Sequence, residues 1–108
     1  MLISMIVAFA IQSQAPRIWQ SAEFTFERRP IPEFPQGARD NRATVNLACL
    51  VKKDGRTAPC TITAESARGQ GFGAAAVQSM RLARIASGDT QPTAGDTVEV
   101  VIAFWNGR

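Results

Sequence analysis

No histidine occurs in the 108 residues and the nine acidic residues come singly, so the usual partners for general acid–base chemistry are missing. Serines are present without a base to activate them. Only two cysteines exist, Cys49 and Cys60, and without histidine they fall short of the roughly four ligands that a metal centre wants. The chain is therefore expected to be no enzyme and to need no metal or cofactor. Like charge is not gathered in blocks either: twelve Lys and Arg run from Arg17 to Arg108, interleaved with the acids, for a formal net charge of +3. That distribution describes a solvated mixed surface and no nucleic-acid face.

A long apolar run is also missing. Leu2 to Ile11 is apolar apart from Ser4, but Gln12 and then Arg17 come next. A spanning helix needs ~20 apolar residues, whereas a secretory segment needs only ~7 to 15. Residues 1–15 are expected to be a signal peptide, cleaved after Ala8-Phe9-Ala10 or Ser13-Gln14-Ala15, or else a short uncleaved membrane tether. The rest of the chain has room for one small core, and a chain of this size buries only ~60% of its unfolded surface, so a covalent staple helps it.

Residues 16–43 read as a turn-rich lead-in. Pro30, Pro32 and Pro35 exclude long regular structure there. Phe24 and Phe26 alternate with polar neighbours, which fits a short strand over Glu23 to Glu27. Gln36 to Asn41 can then make one or two helical turns, with Pro35 at the first helical position.

The clearest element is a hairpin turning at Lys53-Asp54-Gly55-Arg56. Val45, Leu47, Cys49 and Val51 alternate on the first strand, and Ala58, Cys60, Ile62 and Ala64 on the return strand, so both cysteines are expected on the inward face. If the turn is a four-residue loop, Lys52 pairs with Thr57 and Cys49 lands opposite Cys60. The cysteines then occupy a non-hydrogen-bonded site with Cα atoms ~4.5 Å apart, within the range a disulfide tolerates. A two-residue Asp54-Gly55 turn gives the same register with the wider pair type. In both cases a structural disulfide is expected, and closing such a loop stabilises the fold by about 2 to 3 kcal/mol. A redox-active pair usually has Cys-x-x-Cys at a helix start, and this spacing is different.

Gly69-Gln70-Gly71-Phe72-Gly73 is glycine-rich but no phosphate loop, since neither Gly-Lys-Ser/Thr nor the wider dinucleotide spacing is present. It reads as a tight connection from strand to helix. Phe72, Ala75, Ala76, Ser79, Met80 and Ala83 then form one helical stripe, predicting a helix from Phe72 to Ala86 that Ser87-Gly88 ends. The terminal strand, Thr97 to Trp105, alternates Val98, Val100, Ile102 and Phe104 with Glu99, Val101, Ala103 and Trp105. A helix of fifteen residues returns the chain ~22 Å along the sheet. The expected fold is thus α+β: a three-stranded antiparallel sheet of order 2-1-3, with the main helix and the Pro35-led turn on one face. Its last strand is an edge with unpaired backbone groups.

Pro32-Glu33-Phe34-Pro35-Gln36-Gly37-Ala38, the paired-cysteine hairpin with Gly55, Gly69-Gln70-Gly71-Phe72-Gly73-Ala74-Ala75-Ala76 and the terminal strand together resemble the C-terminal domain of the TonB family. The resemblance covers residues 28–105. It implies a periplasmic protein-binding domain in which Pro32, Phe34, Pro35, Ala38, Gly55, Gly69, Gly71, Phe72, Gly73, Ala75 and Ala76 are structural, with Phe34 packing under the sheet. The chain departs from the family in lacking aromatic-x-Pro after the helix, a spanning anchor and a long Pro-rich spacer. The expectation is a stand-alone periplasmic binding or accessory protein in envelope transport, secreted or tethered to the inner membrane through residues 1–15. An energy transducer coupling an inner-membrane motor to outer-membrane transporters is the alternative. Binding is expected by strand addition at Val98, Glu99, Val100, Val101, Ile102, Ala103, Phe104 and Trp105. The partner is a protein, a transporter segment or a second copy, with no nucleic acid.

Overall fold

The computed structural model describes residues 15–107. The targeting segment expected at 1–15 therefore lies, except for Ala15, outside the described residues.

Alternation decides the main sheet. In β3 (Arg42–Val51) the side chains of Ala43, Val45, Leu47, Cys49 and Val51 are buried, and in β6 (Thr97–Trp105) those of Val98, Val100, Ile102 and Phe104. Each strand has a period-2 apolar face, which is what a sheet covered on one side requires. The two pair antiparallel without interruption, from Arg42 opposite Trp105 to Leu50 opposite Thr97. On the other side of β3 lies β4 (Thr57–Glu65), also antiparallel. So far the order is the expected one.

The three-stranded, all-antiparallel sheet is nonetheless incorrect. A fourth strand, β1 (Ile18–Trp19), pairs parallel to β6 at Thr97 and Val98, giving a mixed sheet of order β1-β6-β3-β4, so β6 is not the edge strand expected but lies between β1 and β3 at its start. A second, two-stranded sheet joins β2 (Phe26–Arg28) to β5 (Arg84–Ile85). The fold remains α+β, with six strands in two sheets and one α-helix among the described residues. β1 is too short to leave a periodic signal, and the partners of both lead-in strands lie far along the chain. Near them, Ser21–Glu23 is a 3-10 turn and the expected strand over 23–27 shifts to Phe26–Arg28.

The helix, α1, spans Phe72–Ser79 and stops seven residues before the predicted end. After it the chain tightens, with Met80 N–H donating to Val77 O at 3.1 Å and Ala83 N–H to Met80 O at 3.2 Å. Ile85 then donates to Gly55 O at 2.8 Å and Ala86 to Thr25 O at 2.9 Å. These long-range bonds and the burial of Ile85 override the helix propensity of Arg81 to Arg84. The helical turns expected over Gln36–Asn41 reduce to one turn, where Ala38 N–H reaches Pro35 O at 3.4 Å.

The hairpin reaches the expected cysteine register by another route. Val51, not Lys52, pairs with Thr57, and a shift between Cys49 and Val51 restores Cys49 opposite Cys60. A second shift lies between Asn46 and Leu47. The bridge Cys49–Cys60 is formed, with Cα atoms 4.0 Å apart. Cys49 is buried and Cys60 half-buried. The inward face expected on the return strand is mostly absent: the two register shifts bring Thr57 opposite Val51 and Glu65 opposite Val45, so Ala58 and Ala64 leave that face, and Ile62 is 39% exposed because the short helix covers it only in part.

Candidate functional site

The direction of one hydrogen bond fixes the chemistry of the β6 edge. Thr97 N–H donates to Arg17 O at 2.9 Å, on the side away from β3. Successive strand residues point their amides and carbonyls to opposite sides, so Glu99, Val101, Ala103 and Trp105 also aim theirs at the open edge. Their side chains lie on the helix-free face; Val101 is 54% exposed and Trp105 65%. Val98, Val100, Ile102 and Phe104 have both their side chains and their backbone groups turned inward, to the core and to β3. Of the eight residues expected to bind a partner, alternate ones therefore build the core and the others face outward.

β1 covers only the beginning of this edge. The parallel register uses the Thr97 amide and carbonyl and the Glu99 N–H. From the Glu99 carbonyl to Trp105, β3 is the only strand neighbour of β6 among the described residues. Beside the open stretch lies a cleft of 370 Å³ whose lining includes Phe24, Phe26, Arg29, Pro30, Val100 and Val101. A shallower hollow of 570 Å³ sits at the far end, between Arg42, Thr44, Ser66, Ala103 and Trp105. There the Arg42 guanidinium lies 5.7 Å from the Trp105 ring centroid.

The motif residues are brought together behind the edge. Phe34 packs edge-on against Phe72, with centroids 5.3 Å apart, and against Phe104 at 6.4 Å. Gly71 starts α1 at φ 89°, and a Cβ there would stand 3.2 Å from Pro35 Cβ. The proline element and the glycine element are thus two halves of one contact. Gly73 and Ala76 are buried, Ala75, Ala38 and Pro32 half-buried, Gly69 lies in the preceding turn, and Gly55 docks the hairpin tip on β5.

Two residues that the sequence did not single out hold this arrangement. The Gln70 side-chain Oε1 accepts from Arg39 N–H at 2.7 Å and Asp40 N–H at 2.9 Å, tying the proline element to the turn before α1. Asp96 is 9% exposed and accepts from Arg17 N–H at 3.1 Å, Trp19 Nε1–H at 3.0 Å and Thr93 N–H at 3.0 Å. Burial pushes its carboxyl pKa up, but the Thr93 and Arg17 amides, the indole and the Thr93 hydroxyl outweigh it, and the pKa is lowered. Asp96 directly precedes β6, and that position was its one sequence signal. No group of three His, Cys, Asp or Glu among the described residues is placed to hold a metal ion, and no described helix is long and apolar enough to cross a membrane.

Among the described residues the fold is a small α+β one in which β6 is unpaired on one side beyond β1. Compared with known proteins, the chain matches no family model, no curated protein and no solved structure. The likeness to the TonB domain rests on the motif residues alone.

Proposed function

We propose that this chain is a protein-binding module, without enzymatic activity, that captures an extended segment of a partner by β-strand addition along Glu99 to Trp105. The observation that carries the proposal is the contrast between β4, an edge of the main sheet, and the stretch of β6 that the short β1 leaves unpaired. β4 is blunted: Pro59 removes an amide and two register shifts interrupt its line. Beyond Val98, β6 is regular, has no proline and is flanked by exposed Val101 and Trp105. An unblunted, apolar edge invites aggregation unless it has a use. In strand addition the main-chain bonds supply affinity and alternate side chains choose the partner.

The Cys49–Cys60 bridge supports an oxidising site of action. With the motif contacts around Phe34 and Gly71, it favours a TonB-like accessory protein of the periplasm, secreted or tethered, acting in envelope transport. The partner is then a segment of an outer-membrane transporter or a second copy.

Val101→Pro tests the reading. Proline removes an N–H that faces away from β3, so the fold should survive with a melting temperature within about 5 °C of the parent, as edge positions tolerate proline. Ile102→Pro, which removes a β3-facing N–H, should unfold the domain. A photoreactive residue at Ala103 should crosslink a protein partner in the parent and lose it in Val101→Pro. Equal crosslinking in both refutes strand addition.

A further inference from the structure

We propose that β1 is a built-in, displaceable occupant of the binding edge, held in place by the Asp96 carboxylate. The inference rests on the reading of β6 as the binding strand and concerns how that strand is regulated. β1 sits where a partner strand would begin, and its two residues use the same outward groups, the Thr97 amide and carbonyl and the Glu99 N–H. Removing it would lengthen the available edge from Glu99–Trp105 to the whole of β6.

Its attachment is separate from the rest of the sheet. The β3–β6 ladder runs along the opposite side of β6, so β1 can leave without breaking a bond of that ladder. Two things hold it. Trp19 is 7% exposed, and Asp96 accepts from both the Arg17 amide and the Trp19 indole. Thr93 N–H and Oγ1–H, at 3.0 and 3.4 Å, fix the carboxylate in position to do so. The Ser21–Glu23 turn also packs on β6, and within the clip the Arg17 guanidinium lies 3.7 Å from the Trp19 ring centroid and 3.6 Å from the Glu23 carboxylate. Ile18, on the helix-free face, is 58% exposed. Residues 17–23 thus form one unit whose one charged anchor is Asp96, set beside the buried Trp19 ring. A parallel pair of two residues is too short to persist by its own backbone bonds.

Amide hydrogen exchange on the full chain tests the proposal. In the parent, the Thr97 and Glu99 amides should exchange through local opening, faster than Val100 and Ile102, which face β3. Asp96→Asn keeps the shape but weakens the charge-assisted bonds. It should speed Thr97 and Glu99 about ten- to hundredfold while leaving Val100 and Ile102 unchanged. Trp19→Phe, which keeps the ring packing and drops the indole bond, should act in the same direction and guards against a poorly folded Asp96 variant. If all four amides shift together, or none does, β1 is a fixed part of the sheet and the proposal falls.

A synthetic peptide of residues 42–51 carrying Cys49→Ser, a copy of the natural neighbour of β6, serves as the strand probe. Tighter binding to Asp96→Asn than to the parent, with Thr97 and Glu99 protected in the complex, is the expected result. Peptide bound with β1 still in place overturns the exchange of one strand for another. Absence of peptide binding to any form, with amide exchange as expected, counts against the edge as a binding site and leaves β1 as a displaceable cover.

Discussion

Replacing Gly55 by alanine should cost far more than its place in an exposed turn implies. Gly55 has φ +85°, and a Cβ built on it would stand 2.8 Å from the Ile85 carbonyl oxygen and 3.1 Å from Arg84 Cγ. The arginine can move; the carbonyl is backbone and cannot without shifting β5. Holding alanine in the left-handed region costs about 1 to 2 kcal/mol. Displacing β5 also weakens the bond from Ile85 N–H to Gly55 O, 2.8 Å long, worth about 0.5 to 1.5 kcal/mol. The sum is about 1.5 to 3.5 kcal/mol, against a total of about 5 to 15 kcal/mol for a domain. At ~4 to 8 °C per kcal/mol, thermal unfolding followed by circular dichroism should show a fall of roughly 6 to 28 °C. Gly37→Ala is the control: its φ is +78° but nothing lies within 4 Å of the added carbon, so it carries the backbone cost alone. If the two variants melt together, the docking of the hairpin tip on β5 contributes nothing and the reasoning fails.

Cys49→Ser with Cys60→Ser should lower stability by about 3 kcal/mol, because the bridge closes a loop of sequence separation 11; urea unfolding with and without reductant measures it, and the reduced parent should match the variant. Asp96 should give the domain an acid limit. Its folded pKa lies below the ordinary 3.8, so its contribution is fully present above the unfolded value and is lost as pH falls through the depressed one. The parent should therefore lose stability below about pH 4 more steeply than Asp96→Asn, and parallel acid limbs would refute the assignment.

Hairpin, cysteine pairing and terminal strand were legible because each is a local pattern: period-2 burial in Val45 to Val51 and Val98 to Phe104, and turn residues between 53 and 56. The hairpin register came out right at the cysteines although the loop pairing differed by one residue, because the shift beside Cys49 compensates. Helix length was not legible. Arg81 to Arg84 favour helix by propensity, but the pull of Ile85 toward Gly55 and Phe26 makes Arg84–Ile85 a strand and leaves Arg81 to Ala83 a tight turn before it. Likewise the edge position of β4 was expected, but the alternation of Ala58, Ile62 and Ala64 could not show the register shifts that take Ala58 and Ala64 off the inward face.

By itself the sequence determined one small α+β domain, a stapled hairpin and a final strand with one apolar face, since local alternation and turn chemistry suffice for these. Tertiary structure alone decided that β1 covers the start of that strand, that β2 and β5 form a second sheet, and that a single carboxylate, Asp96, fastens the first strand to the last. Those pairings join residues as many as 79 positions apart. Two- and three-residue strands carry no period of their own, and only the assembled core provides the surface on which they form.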